Sequence, residues 1–346
     1  MRVCHLLRLG VLLSCFLPVC HASDGLFDIK PVAAGVYAAI ARPHRPENAN
    51  SAIVLLDDGV LVVDAASTPS SAKALIAQIR KLTPQPVKYL VNTHFHWDHY
   101  WGNAAFLEAF PGVQIIASEN ARLEMQRMGL GSLWVTRLTK VELPEAFERW
   151  KGQVVKETDP KRLQLLRDRI EEWGKADEEL KTMPLALPTL TFEGRMVLHT
   201  ASQSVEILAL GRGHTSGDVE VYLPKSKVLM TGDLIAGDTP YIADVGPYEW
   251  MHTLDTVEQL DFETVIPGHG DVMRGKDGLR LWRDYFRELT AQTEAAYAEG
   301  LAIEDAVKQV SARLVEKFRD RFPPEFPQAV PLNVRTAYRF VSGEQD

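Results

Sequence analysis

Residues 87–99 read VKYLVNTHFHWDH, a run of strand-forming side chains that empties without a break into three histidines and an aspartate. The apolar, β-branched first half predicts a buried strand over 87–93. A strand must alternate its side chains between two faces, whereas the loop that follows need not, so His94, His96, Asp98 and His99 can converge on one centre. Imidazole nitrogen and carboxylate oxygen suit Zn²⁺, with iron or manganese as alternatives.

Upstream, GVYAAIA (35–41), SAIVLLD (51–57) and GVLVVDA (59–65) read as strands, the last two joined by a turn at Asp57-Asp58-Gly59. SSAKALIAQIRKL (70–82) places Ala74, Leu75, Ile79 and Leu82 at helical spacing. After the histidine cluster come a helix at NAAFLEAF and a strand at VQIIAS. Residues 119–187 then turn rich in Arg, Lys, Glu and Leu. Asp159 and Pro160 read there as a helix start, with Leu163, Leu166, Ile170 and Trp173 as its apolar face. This stretch is expected to be a helical insertion between two α/β halves, either a structural excursion or a substrate-facing lid.

Strand patterns return between 190 and 233 as LTF, RMVLH, VEILALG, VEVYLP and KVLMTGD, followed by a helix near 248–260 and the strand TVIP (264–267). From about 278 to 346 the pattern is amphipathic helix. Three more candidates fall where apolar runs end: His214 in GRGHTSGD (211–218), Asp233 in TGD (231–233) and His269 in PGHG (267–270). In α/β sheets that edge is where sites are assembled.

The ordered set HxHxDH, GHTSGD, TGD and PGHG resembles the metallo-β-lactamase superfamily over about residues 35–270. The likeness extends to its Asp-bridged members, the glyoxalase II-like and quinoprotein-associated zinc hydrolases. It implies an α/β (α+β) fold, a four-layer αββα sandwich, here with a helical insertion and C-terminal helices. It further implies that His94, His96 and His214 hold one metal, that Asp98, His99 and His269 hold a second, and that Asp233 bridges them. Asp64, ending GVLVVDA, matches an aspartate that steadies the ligand loops from behind. Zn²⁺, two per chain, would lower the pKa of a water to about 7, and Asp98 would orient the resulting hydroxide and pass a proton to the leaving group.

The chain has 346 residues, 46% apolar and 24% charged, as a globular protein does. Its net charge is −8, which disfavours nucleic acid as a partner. Arg2 and Arg8, the apolar run Leu9–Val19 and a small residue at Ala22 predict a signal peptide over residues 1–22 ahead of a single domain over 23–346. The product is then periplasmic or secreted, without stable membrane insertion; lipid anchoring through Cys20 is the less favoured variant. All three cysteines, Cys4, Cys15 and Cys20, fall in that signal, so a metal site must be built from His, Asp and Glu.

Outside the motifs, His44, His199 and His252 read as ordinary structural or surface residues. Trp97, Tyr100, Trp101 and Tyr241 read mainly as packing, Lys225-Ser226-Lys227 as a solvated turn, and Ser216 lacks the setting of a nucleophile. The resulting expectation is an exported binuclear zinc hydrolase that uses a metal-activated hydroxide on an ester, thioester or lactam-like bond of a small molecule. Alternatives are a β-lactamase proper, a mononuclear iron dioxygenase of the same fold, and a non-catalytic periplasmic metal-binding accessory protein. Asp233 stands where zinc β-lactamases usually carry cysteine or serine, and no lysine for a lactam carboxylate closely follows TGD. The oligomeric state is left open by the sequence.

Overall fold

The computed structural model describes residues 25–43, 45–128, 138–182 and 184–344. The expected signal at 1–22, all three cysteines and His44 lie outside them. Two sheets face each other. The first runs in the order β1 (Phe27–Ala33), β2 (Val36–Ala41), β3 (Ser51–Leu55), β4 (Val60–Val63), β5 (Val87–Val91), β6 (Gln114–Ser118) and β7 (Leu190–Phe192). Neighbours are antiparallel from β1 to β4 and parallel from β4 to β7.

The second sheet contains β8 (Arg195–His199), β9 (Ser204–Leu208), β10 (Glu220–Leu223), β11 (Val228–Gly232), β12 (Thr264–Pro267) and β13 (Met273–Arg274), in reverse order across the sheet. Only β11 and β12 pair in parallel there. Between the sheets Val36, Ala38, Val54, Leu61, Val63 and Val91 meet Val205, Ile207, Val221, Met230 and Ile266, all buried. That is the expected αββα sandwich.

The outer layers follow from the apolar stripes read in the sequence. On the first sheet, α1 (Pro69–Leu82) buries Leu75, Ile76 and Ile79 against Ile53, Val62 and Leu90. It starts where Thr68 Oγ1 accepts the Ser71 amide at 3.1 Å and Pro69 presets the first turn, while Arg80 and Lys81 sit at its negative end. Two short helices follow β5, α2 (Trp97–Tyr100) and α3 (Asn103–Ala109).

The second sheet is covered by α7 (Pro247–Glu258), α8 (Asp277–Ala298), α9 (Ile303–Phe318) and α10 (Phe326–Ser342). Trp250, Trp282, Tyr285, Phe286, Phe318 and Phe326 fill that interface. The helical stretch before β7 comprises α4 (Glu119–Arg127), α5 (Leu143–Lys156) and α6 (Pro160–Thr182), with a π-helical turn at Leu138–Glu142.

Four expectations change. The strand β1 was not anticipated, because FDIKPVA carries no clean alternation and includes Pro31; an edge strand tolerates both. The short strand β13 also went unread. LTF, grouped by sequence with the second half, pairs in parallel with β6 in the first sheet, so the insertion is a crossover within that sheet. On α6, Leu163, Leu166, Ile170 and Trp173 are only half-buried, and burial is concentrated at Ala176 and Leu180.

Candidate metal centre

Every residue of the expected site lies at one edge of the sandwich, where the parallel strands of both sheets end. Asp64 follows β4, His94 to His99 follow β5, Asp233 follows β11 and His269 follows β12. His214 arrives on the loop between β9 and β10, pinned to the first sheet where the Val219 amide donates to the Thr93 carbonyl at 2.8 Å. Its turn is self-braced, since Asp218 accepts the Thr215 amide and hydroxyl at 3.0 and 2.6 Å. Burial pushes Asp218 up to about 7.

The side chains form two groups whose ligand atoms lie within 4.8 Å of one another: His94, His96, His214 and Asp233, and beside them Asp98, His99 and His269. Asp233 faces both. Its Oδ2 is 3.4 Å from His214 Nε2 and 3.2 Å from His269 Nε2, and its Oδ1 is 3.4 Å from His99 Nε2. Asp98 Oδ2 lies 3.4 Å from His269 Nε2 and 3.7 Å from His99 Nε2.

Hydrogen bonds made away from the centre settle which nitrogen faces it. Thr93 Oγ1 spends its proton on Asp64 Oδ2 at 2.9 Å, so at 3.0 Å it can only accept from His94 Nδ1, leaving Nε2 bare. His99 Nδ1 donates to Asp64 Oδ2 at 2.8 Å, and His269 Nδ1 to the Asn48 carbonyl at 3.0 Å. His96 is reversed: its Nε2 donates to Asp244 Oδ2 at 3.0 Å, and its Nδ1 faces His214 Nε2 at 2.8 Å. Such outward partners orient an imidazole and raise its basicity toward a metal.

His94 Nε2, His99 Nε2 and Asp233 Oδ1 are buried without a hydrogen-bond partner. Buried polar atoms are rarely left so, and these three point into one space. The donor set and the orphaned atoms fit metal ions. The backbone makes room for the side chains that line this space. A Cβ on Gly268 would lie 2.0 Å from Asp233 Oδ1, and one on Gly232, at φ +49°, would lie 2.4 Å from Thr93 Oγ1.

The two groups differ electrostatically. Burial drives His94 well below the usual imidazole range and His214 down to about 3. Burial also opposes protonation of His99 and His269, but Asp233 and its acidic neighbours outweigh it, lifting His99 well above normal and His269 to about 10. In turn burial, which would raise Asp233, is outweighed by His269 and His99, which hold it well below the carboxylate range. A metal entering the second group must displace protons, costing about tenfold in affinity per proton for each pH unit below the histidine pKa. After loading with metal, dialysis at about pH 6 is therefore expected to strip any ion beside His269 before one beside His94, by metal analysis; equal loss would contradict this.

Sequence reading missed Asn48, Glu47 and Asp244. Asn48 Nδ2 donates to Asp98 Oδ2 at 3.1 Å while its carbonyl holds His269. Glu47 fixes that loop, accepting the Asn48 and Ala49 amides and the Ser67 amide and hydroxyl; burial pushes it up to about 7. Only the Pro-rich composition of RPHRPENAN marked this segment as a loop. Replacing Asp244 with alanine frees His96 to rotate. Metal affinity of the first group should fall about 10- to 100-fold in competition with a chromophoric chelator, and an unchanged affinity would remove Asp244 from the centre.

The remaining candidates fall elsewhere. Tyr100 and Trp101 are buried in the cluster under α4 to α6, Trp97 is half-buried and Tyr241 is exposed. His199 pairs with Ser204 at a strand end, His252 is exposed, and Ser216 offers its carbonyl to Asn120. Lys227 pairs with Asp261 and Glu263 in its turn.

The family model for the metallo-beta-lactamase superfamily matches residues 44–269. A linear primary-alkylsulfatase from Pseudomonas sp. is 25% identical over 270 residues, which is 73% of this chain and 48% of that protein. A metallo-beta-lactamase type 2 from Bacillus cereus is 32% identical over 90 residues, 24% of this chain and 34% of that one. The chain thus spans about half the alkylsulfatase and a third of the lactamase. Among solved structures, a stereoselective inverting sec-alkylsulfatase from Pseudomonas sp. aligns with TM-score 0.65 at 19% identity, covering 92% of this chain and 51% of that one. A metallo-beta-lactamase from Pontibacter korlensis gives TM-score 0.55 at 19% identity, covering 75% and 99%.

Proposed function

Since the chain belongs to the metallo-β-lactamase superfamily of metal-dependent hydrolases, we propose that it is an exported hydrolase of small ester-type bonds that works with two zinc ions. The observation that carries this reading is Asp233, whose two oxygens face both histidine groups. His94, His96 and His214 would hold one ion, Asp98, His99 and His269 the other, with Asp233 between them. Two such ions supply Lewis acidity toward the scissile group and lower the pKa of a water to about 7.

The chain's own residues supply the rest. Asp64, Asp244 and the Asn48 carbonyl keep the imidazoles aimed inward, so no reorganisation is needed during reaction. Asp98, turned by Asn48, would accept the proton of the attacking water at its carboxylate and release it to the leaving oxygen. Zinc is favoured over softer-ligand metals by an all-nitrogen and oxygen donor set. Export is supported by the basic, apolar and small-residue order of residues 1–22. Among the described residues no helix is long and apolar enough to cross a membrane.

Sulfate esters are the substrate class to test first, because the alkylsulfatase match extends over 73% of the chain and the lactamase match over 24%. A β-lactam is the second reading, favoured by the higher identity of that shorter match. Zinc-loaded and chelator-treated Ser23–Asp346 would be compared on decyl sulfate and on a chromogenic cephalosporin. Chelator-sensitive release of sulfate is the expected result. Hydrolysis of the cephalosporin alone would favour the second reading, and no turnover on any ester with two ions bound would overturn the first.

A further inference from the structure

The chain is acidic overall, yet one groove away from the metal ligands is lined by four basic side chains. A cavity of about 480 Å³ lies between the loop at Pro43 and Arg45, the last turn of α5 and the first half of α6. Its floor on α6 is set by spacing: Arg162, Leu165, Leu166 and Arg169 fall at i, i+3, i+4 and i+7, one stripe of a helix. Two cations therefore bracket two leucines, and Lys156 faces them from α5. Leu165 is 64% exposed and, with Leu166, gives the groove an apolar strip between its cations.

On these helices Lys151, Lys175 and Lys181 are each paired locally, with Glu148, Glu171 and Asp177. Among the described residues, no carboxylate lies within ion-pair distance of Lys156, Arg162 or Arg169. Arg169 rests over the Trp150 ring, and its Nε is buried without a hydrogen-bond acceptor. Of the two groups in the groove that are already paired, Arg45 bonds Glu172 at 2.6 Å, and Glu157, the acid lining the cavity, accepts the Thr158 and Asp159 amides.

We propose that this groove is a second binding site that takes a single-chain amphiphilic anion, its oxyanion head between Arg162, Arg169 and Lys156 and its alkyl chain along Leu165 and Leu166. Guanidinium groups match a three-oxygen head by forked hydrogen bonds, and partial desolvation strengthens them. The alkyl chain would cover apolar surface now in water. The groove and the metal centre share one segment, because Arg45 stands three residues before Asn48.

The test is titration calorimetry with 1-decanesulfonate, whose carbon–sulfur bond is not a hydrolysable ester, below its micellar concentration. It is run on the full chain with zinc and after chelation, beside methanesulfonate and the neutral decyl maltoside. One-to-one binding that survives chelation is expected. It should weaken at least tenfold in Arg162→Ala/Arg169→Ala and recover in part in Arg162→Lys/Arg169→Lys, with neither control saturating. Binding unchanged in the double variant, binding lost with zinc, or equal binding of decyl maltoside would each overturn the proposal. Should the double variant misfold by circular dichroism, Arg162→Ala alone, on the exposed first turn of α6, carries the same comparison with at least a threefold loss. None of these readings needs turnover, so failure here is separable from failure of the hydrolase assignment.

Discussion

Asp233→Ala is expected to abolish hydrolysis, by on the order of 10³-fold in kcat or about 4 kcal/mol, and to reduce bound zinc at both groups. Its carboxylate is the point where the two sets of histidines meet, with His214 at 3.4 Å, His269 at 3.2 Å and His99 at 3.4 Å. Removing a buried charge from its partners usually costs about 3 to 5 kcal/mol of stability. Here the partners have a cheaper exit. Without Asp233 to hold their protons, His99 and His269 lose much of the attraction that lifts them and can turn neutral, so the chain should fold. The loss should therefore appear in metal content and rate with the melting temperature of metal-free protein little changed. A variant that keeps two ions would remove Asp233 from the bridging position.

Asp64→Ala should do the reverse, with a large effect on stability even without metal. The carboxylate is 2% exposed and accepts three hydrogen bonds, from the Thr93 amide at 2.8 Å, the Thr93 hydroxyl at 2.9 Å and His99 Nδ1 at 2.8 Å. Alanine strands these donors and must also adopt φ +62°, which aspartate tolerates better. Together these costs come to about 3 to 5 kcal/mol in denaturant unfolding. Asp64→Asn tolerates the same backbone and keeps an acceptor, so it should restore part of that stability while zinc affinity stays down about 10- to 100-fold, because His99 loses its charged partner. Wild-type stability in Asp64→Ala would show that the loop after β5 holds itself.

Much of this centre was legible because it is assembled from strand ends. A buried strand announces itself by β-branched residues, and the polar side chain that terminates it has few structural uses, so His94, Asp233 and His269 stood out one by one, while Asp64 was marked by the family resemblance. The helices flanking the sheets were equally legible, since an amphipathic stripe is a local property. The edge strand β1 escaped for the opposite reason: with a partner on one side alone, it accommodates Pro31 and needs neither alternation nor strong β propensity. The groove residues Arg162, Leu165, Leu166 and Arg169 lie on the helix that the sequence predicts, but its apolar face is only half-buried, because packing is concentrated at Ala176 and Leu180.

By itself the sequence determined the types of the candidate ligands, their order along the chain and the strand or loop on which each is carried, because spacing within about ten residues is set by covalent geometry. Only the tertiary structure decided that LTF returns to the first sheet, that Asn48 and Asp244 hold two of the histidines, and that His96 turns Nδ1 rather than Nε2 inward. These contacts join residues as far apart as 221 positions, and which of many polar side chains meets a given imidazole is chosen by how two packed sheets align, not by any local preference.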